Sequence, residues 1–74
     1  MNEKELDAKG LLCPLPVLKA RKLLKAMEVG EYLRILATDP GSQQDFCAFC
    51  DSQGHDLLEK KAEGDVFSYL IKKG

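Results

Sequence analysis

The spacing of apolar residues switches from helical to strand-like early in this chain, and that switch limits what it can fold into. From Pro14 to about Glu28, Val17, Ala20, Leu24 and Met27 recur at helical spacing, and Leu23 widens the stripe. Lys19, Arg21, Lys22 and Lys25 fall on the other side of the same helix. Gly30 stops it, and the period then drops to two. In "EYLRILA", Leu33, Ile35 and Ala37 alternate with Tyr32, Arg34 and Leu36, which predicts a strand with one buried face. A chain that carries both periods back to back must pack helices on a sheet.

The remainder extends the pattern. Leu6 and Ala8 sit at strand spacing in "KELDAK", and Gly10 breaks the chain after them. "TDPGS" is a turn, with Pro40 fixing the backbone and Gly41 supplying freedom. Ser42, with Asp45 three residues on, predicts a capping-box-like start to a second helix that turns Phe46, Phe49 and Cys50 inward. Gly54 ends it. "DLLEKKA" and "VFSYLIKK" follow as strands joined tightly through Glu63-Gly64-Asp65, with Phe67, Tyr69 and Ile71 on one face. The predicted order is β-α-β-α-β-β. This is an α/β (α+β) two-layer sandwich, a four-stranded mixed sheet with two helices on one face and the other face open.

A chain of 74 residues is expected to form one domain over residues 1–74 with a thin core. Chemistry in such a domain is displayed on the surface, where a partner completes the pocket. The charges nearly cancel, with 11 Lys+Arg against 12 Asp+Glu, which argues against strong direct binding to nucleic acid. The charged start "MNEKELDAKG" shows no secretory signal, and no stretch is apolar enough to span a membrane. Three cysteines in such a chain do not make a disulfide framework, so a reduced, cytoplasmic protein is expected.

The residues that carry chemistry lie in "LLCPLP". Proline is tolerated at a helix start, where its missing N–H would be unpaired. Pro14 fits the first helical position with Cys13 as N-cap, although Pro16 disfavours helical geometry at Leu15 and allows a start at Pro16 instead. Either way Cys13 lies within one turn of the electropositive helix end, where a thiolate is stabilised and its pKa falls. Lys19, Lys22 and Lys25 add positive potential. Leu15 and Leu18 project among these cations, a combination suited to docking on an acidic partner surface. A buried, inert cysteine at a helix start is the alternative on spacing alone.

The segments "LDAKGLLCPLPVLKARKLL", "GEYLRILATDPGSQQDFCAFC" and "YLIKKG" resemble the TusA/SirA-like family of small sulfur carriers, from Leu6 to Gly74. The most specific element is the Cys-Pro-x-Pro motif, Cys13 with Pro14 and Pro16. Gly30, Glu31, Asp39 and Pro40 support it. The resemblance implies a two-layer sandwich and a persulfide carried on Cys13, with no organic cofactor and no metal. It implies a cysteine desulfurase or another sulfurtransferase as donor. The acceptor would be a sulfur-relay protein or thiolation enzyme, as in tRNA thiolation, molybdenum-cofactor enzyme maturation or sulfur oxidation.

"CAFC", Cys47 to Cys50, raises a rival reading as a small redox, metal or protein-interaction module. Redox pairs place the first cysteine at a helix N-terminus, whereas Cys47 falls about a turn inside the second helix. Zinc needs four ligands, and only His55 and Cys13 remain to join the pair. His55, after Gly54, is expected in a solvated turn.

Overall fold

The computed structural model describes residues 3–74. Its elements are β1 (Glu3–Ala8), α1 (Leu15–Ala26), β2 (Tyr32–Ala37), α2 (Ser42–Gln53), β3 (Asp56–Glu63) and β4 (Val66–Lys72). The four strands form one mixed sheet in the order β1-β2-β4-β3. β1 and β2 run parallel, with Leu6 opposite Ile35 and Ala8 opposite Ala37. β4 is antiparallel to both its neighbours, with Tyr69 opposite Ile35 on one side and Lys60 on the other. The expected element order and layer arrangement are those observed.

The period-2 positions explain the layering. Leu33, Ile35, Ala37, Tyr69 and Ile71 all point to one face, where they meet Ala20, Leu24 and Met27 of α1 and Phe46, Phe49 and Cys50 of α2. On the opposite face Arg34 donates to Glu59 Oε2 at 3.0 Å and to Ser68 Oγ at 3.1 Å, tying β2 to β3 and β4. β3 takes an extra residue between Leu57 and Glu59, and this register shift leaves Leu58 half exposed at the sheet edge.

The start of α2 differs from expectation. Ser42 is its first helical residue rather than its cap, and Gly41 caps it without any side-chain hydrogen bond. The Ser42 hydroxyl is buried and pairs instead with the Tyr69 hydroxyl at 2.6 Å. A buried hydroxyl needs a partner, and Tyr69 across the core is a better-shielded one than the helix backbone. Both ends of the apparent capping box are thereby diverted, because Asp45 also turns elsewhere. Gly54 closes α2 in the left-handed conformation at φ 75°, as its position after the helix suggested.

Candidate functional site around Cys13

The site forms at the C-terminal ends of the two parallel strands. Ala8 and Ala37 end β1 and β2 side by side. From there one loop leads through Gly10 and Cys13 into α1, and another leads through Asp39 into α2. Gly10 turns at φ 82°, a conformation that residues with a Cβ rarely adopt. Its N–H donates to Thr38 Oγ1 at 2.9 Å. Three residues on, the Cys13 N–H donates to Asp39 Oδ2 at 2.9 Å, while Asp39 Oδ1 accepts from the Gly41 N–H at 3.3 Å. Asp39 therefore locks the two loops together.

The helix entrance falls between the two expected starts, Pro14 and Pro16. Pro14 is the N-cap, Leu15 the first helical residue and Pro16 the second, so Cys13 precedes the cap. The Pro14 carbonyl accepts the first helical bond, from the Leu18 N–H at 3.0 Å. Leu15 can be helical despite preceding Pro16, since the first turn tolerates proline, and Pro16 is buried against the core. The electropositive entrance is weak, however. The Leu15 N–H is taken by the Leu12 carbonyl at 2.9 Å, and Pro16 has no N–H to offer.

What faces the sulfur is negative. The Cys13 S–H donates to Asp45 Oδ2 at 2.6 Å, from the first turn of α2. Its pKa is raised rather than lowered. The hydrogen bond to the Asp45 carboxylate is the main cause, followed by desolvation and then the charges of Asp45 and Asp39. The expected thiolate stabilisation by the helix end is thus overturned by two carboxylates that lie outside the Cys-Pro-x-Pro segment. Nor does the whole lysine row help. Lys25 lies in the last turn of α1, roughly 18 Å along the axis from Cys13 at 1.5 Å per residue, beyond the range of an exposed charge in salt.

Cys13 is exposed, whereas Cys47 is half-buried and Cys50 buried. Leu12, Leu15 and Leu18 surround the thiol segment at 71%, 45% and 50% exposure. Leu15 thus leaves the core to Pro16, and Lys19, Lys22 and Lys25 continue the exposed side of α1. Leu12 was not singled out from the sequence, and only its position next to an exposed cysteine could have suggested it. Asp39 and Asp45 were also missed as site residues. Asp39 lay in a quoted turn and Asp45 in a plausible cap.

The two thiols of the Cys-x-x-Cys pair sit differently, Cys47 half-buried and Cys50 buried. Cys50 faces the core, and burial pushes its thiol up to about 11. Its neighbour His55 is not in an open turn but half-buried, its ring 5.6 Å from that of Phe49 and its Nδ1 accepting the Gly74 N–H at 3.1 Å. Among the described residues the metal-ligand type atoms that converge are those of Cys13, Asp39 and Asp45, within 4.8 Å of one another. Both Asp39 oxygens already accept backbone N–H groups and Asp45 accepts from the sulfur, so the three satisfy each other.

A family model described as sulfurtransferase TusA matches residues 4–73. The chain belongs to the TusA family. It is 55% identical over 71 residues to the sulfur carrier protein TusA of Allochromatium vinosum, covering 96% of this chain and 93% of that one. It is 45% identical over 73 residues to YrkI of Bacillus subtilis, covering 99% and 97%. The crystal structure of a SirA-like protein from Desulfitobacterium hafniense superposes with a TM-score of 0.83 at 28% identity, over 95% of this chain and 96% of that one. That SirA-like structure and this chain therefore share one sheet-and-helix architecture.

Proposed function

We propose that this protein is a sulfur carrier that holds sulfane sulfur as a persulfide on Cys13. The observation that carries the reading is the exposure of Cys13 in a proline-bounded loop, whereas Cys47 is half-buried and Cys50 buried. A sulfur displayed in this way reacts with what another molecule brings to it. Relatives named as sulfur carriers support the same reading. The Cys13 sulfur attacks the terminal sulfur of a donor persulfide, the donor thiolate leaves, and the new persulfide later meets an acceptor thiol. The donor class is a cysteine desulfurase or another sulfurtransferase, and the acceptor is a relay protein or thiolation enzyme. Pathways of tRNA thiolation, molybdenum-cofactor enzyme maturation or sulfur oxidation all use this transfer. The described helices include none long and apolar enough to cross a membrane, and free thiols suit a reducing compartment such as the cytoplasm.

The test is direct loading. Incubation with a cysteine desulfurase and cysteine, followed by mass-spectrometric mapping, is expected to place the extra sulfur on Cys13. Its appearance on Cys47 or Cys50 instead, or nowhere, overturns the reading.

Docking follows from the same surface. Leu12, Leu15 and Leu18 supply an apolar patch beside the sulfur, and Lys19, Lys22 and Lys25 supply a basic strip along α1, complementary to an acidic partner. Reversing the charge of Lys22 and Lys25 together is expected to slow loading by the donor severalfold at low salt, with less effect at high salt. Loading rates that stay equal to wild type at low salt remove these lysines from the interface.

A further inference from the structure

We infer that Asp45 is a positioning residue that latches the Cys13 sulfur in the free carrier, restraining both the uptake and the release of sulfur. The argument starts from geometry. Asp45 Oδ2 lies 2.6 Å from Sγ and accepts a hydrogen bond from its S–H. Asp45 itself stands in the first turn of α2, where the helix N-terminus favours a negative carboxylate. Asp39 adds a second negative group from the adjoining loop, fixed by its bonds to the backbone of Cys13 and Gly41. These are the charged groups that act on the sulfur from the elements packed against it.

Each half of a sulfur exchange puts negative charge on Sγ. In loading, Cys13–SH loses its proton to solvent, and the thiolate electron pair forms a new S–S bond to the donor's terminal sulfur. The old donor S–S bond breaks, and the departing donor sulfur takes up a proton. In release, an acceptor thiolate attacks the terminal sulfur, the Cys13 S–S bond breaks, and its electron pair returns to Sγ, which is then protonated. Neither step has a net oxidant or reductant, since one S–S bond replaces another. An anionic Sγ facing a carboxylate at hydrogen-bond distance is unfavourable in both directions. A thiol held protonated attacks slowly, and a thiol of raised proton affinity leaves slowly. The free carrier is therefore insulated from small thiols and electrophiles. Turnover in a complex then needs positive charge brought against Asp45.

The meaning of the latch rests on the carrier reading, but its test does not. Alkylation of Cys13 by iodoacetamide involves no sulfur transfer, so its outcome is separate from whether desulfurase loading succeeds. The experiment measures alkylation rate against pH for wild type, Asp45→Asn and Asp45→Glu, with the site followed by peptide mapping. Asp45→Asn is expected to move the midpoint of the profile to lower pH and to raise the rate at neutral pH severalfold, because the group that holds the proton on the sulfur has lost its charge. The plateau at high pH should be unchanged, because accessibility is not altered. Asp45→Glu, which keeps the carboxylate, should stay nearer wild type than the asparagine variant. A purely structural role would instead lift the whole profile, plateau included, by loosening α2. That result, or an unshifted midpoint in Asp45→Asn, overturns the proposal.

Discussion

Cys13→Ser is expected to abolish sulfur loading completely while leaving the fold as stable as wild type. The two halves of that expectation come from different parts of the structure. Stability should change by no more than about 0.5 kcal/mol, because the side chain is exposed. A serine hydroxyl can still donate to Asp45, and the Cys13 backbone bond to Asp39 does not depend on the side chain. Loading should vanish because a hydroxyl does not attack sulfane sulfur and no other thiol can substitute. Cys50 is buried with its pKa near 11, so on the order of one molecule in 10⁴ carries the thiolate at pH 7. Cys47 is half-buried on α2 and lies outside the loop that presents Cys13. Cys47→Ser should accordingly load like wild type. Intact-protein mass spectrometry after incubation with a desulfurase and cysteine checks both variants. Full loading of Cys13→Ser would assign the chemistry to the Cys-x-x-Cys pair.

The contrast between these cysteines was partly readable from the sequence. Helical spacing placed Cys50 with Phe46 and Phe49, and all three are buried in α2. The turn and prolines around Cys13 pointed outward, and it is exposed. What could not be read was the company the sulfur keeps. Local spacing describes neighbours within one element, whereas Asp45 reaches Cys13 across 32 positions of sequence. The Ser42–Asp45 pair has the local signature of a cap, and nothing local says that Tyr69 will claim the serine. The same limit applies to the sheet. Alternation marks each strand, but the insertion of β4 between β2 and β3 is decided by how α2 carries the chain over the sheet. The raised proton affinity of Cys13 is thus a tertiary property, and the helix-entrance argument failed because it weighed one element alone.

The same tertiary dependence gives the core an unusually direct hold on the site. Phe46 sits between Asp45 and Cys47 in sequence, is fully buried, and its ring lies 4.9 Å from that of Tyr69. Phe46→Ala is expected to destabilise the protein by about 3–5 kcal/mol, from lost apolar burial and the cavity left behind. A 74-residue domain has roughly 4–11 kcal/mol of total stability at ordinary values per residue, so much of the margin would go. Phe46→Leu, which retains most of the volume, should cost about 1.5 kcal/mol or less. Urea unfolding followed by circular dichroism measures both, and the alanine variant should show a lower midpoint with a similar slope. The effect should extend to Cys13, since the first turn of α2 is held down by Phe46 and the Ser42–Tyr69 bond. Loosening that turn withdraws Asp45 from the sulfur. Among molecules that remain folded, the midpoint of the Cys13 alkylation profile of Phe46→Ala should move toward that of Asp45→Asn, while its plateau, unlike that of Asp45→Asn, also rises as α2 loosens. A loss of less than about 0.5 kcal/mol, the range of surface substitutions, would mean that α2 is not anchored through Phe46. An unshifted alkylation profile would mean that the carboxylate is held in place by the loop containing Asp39 instead.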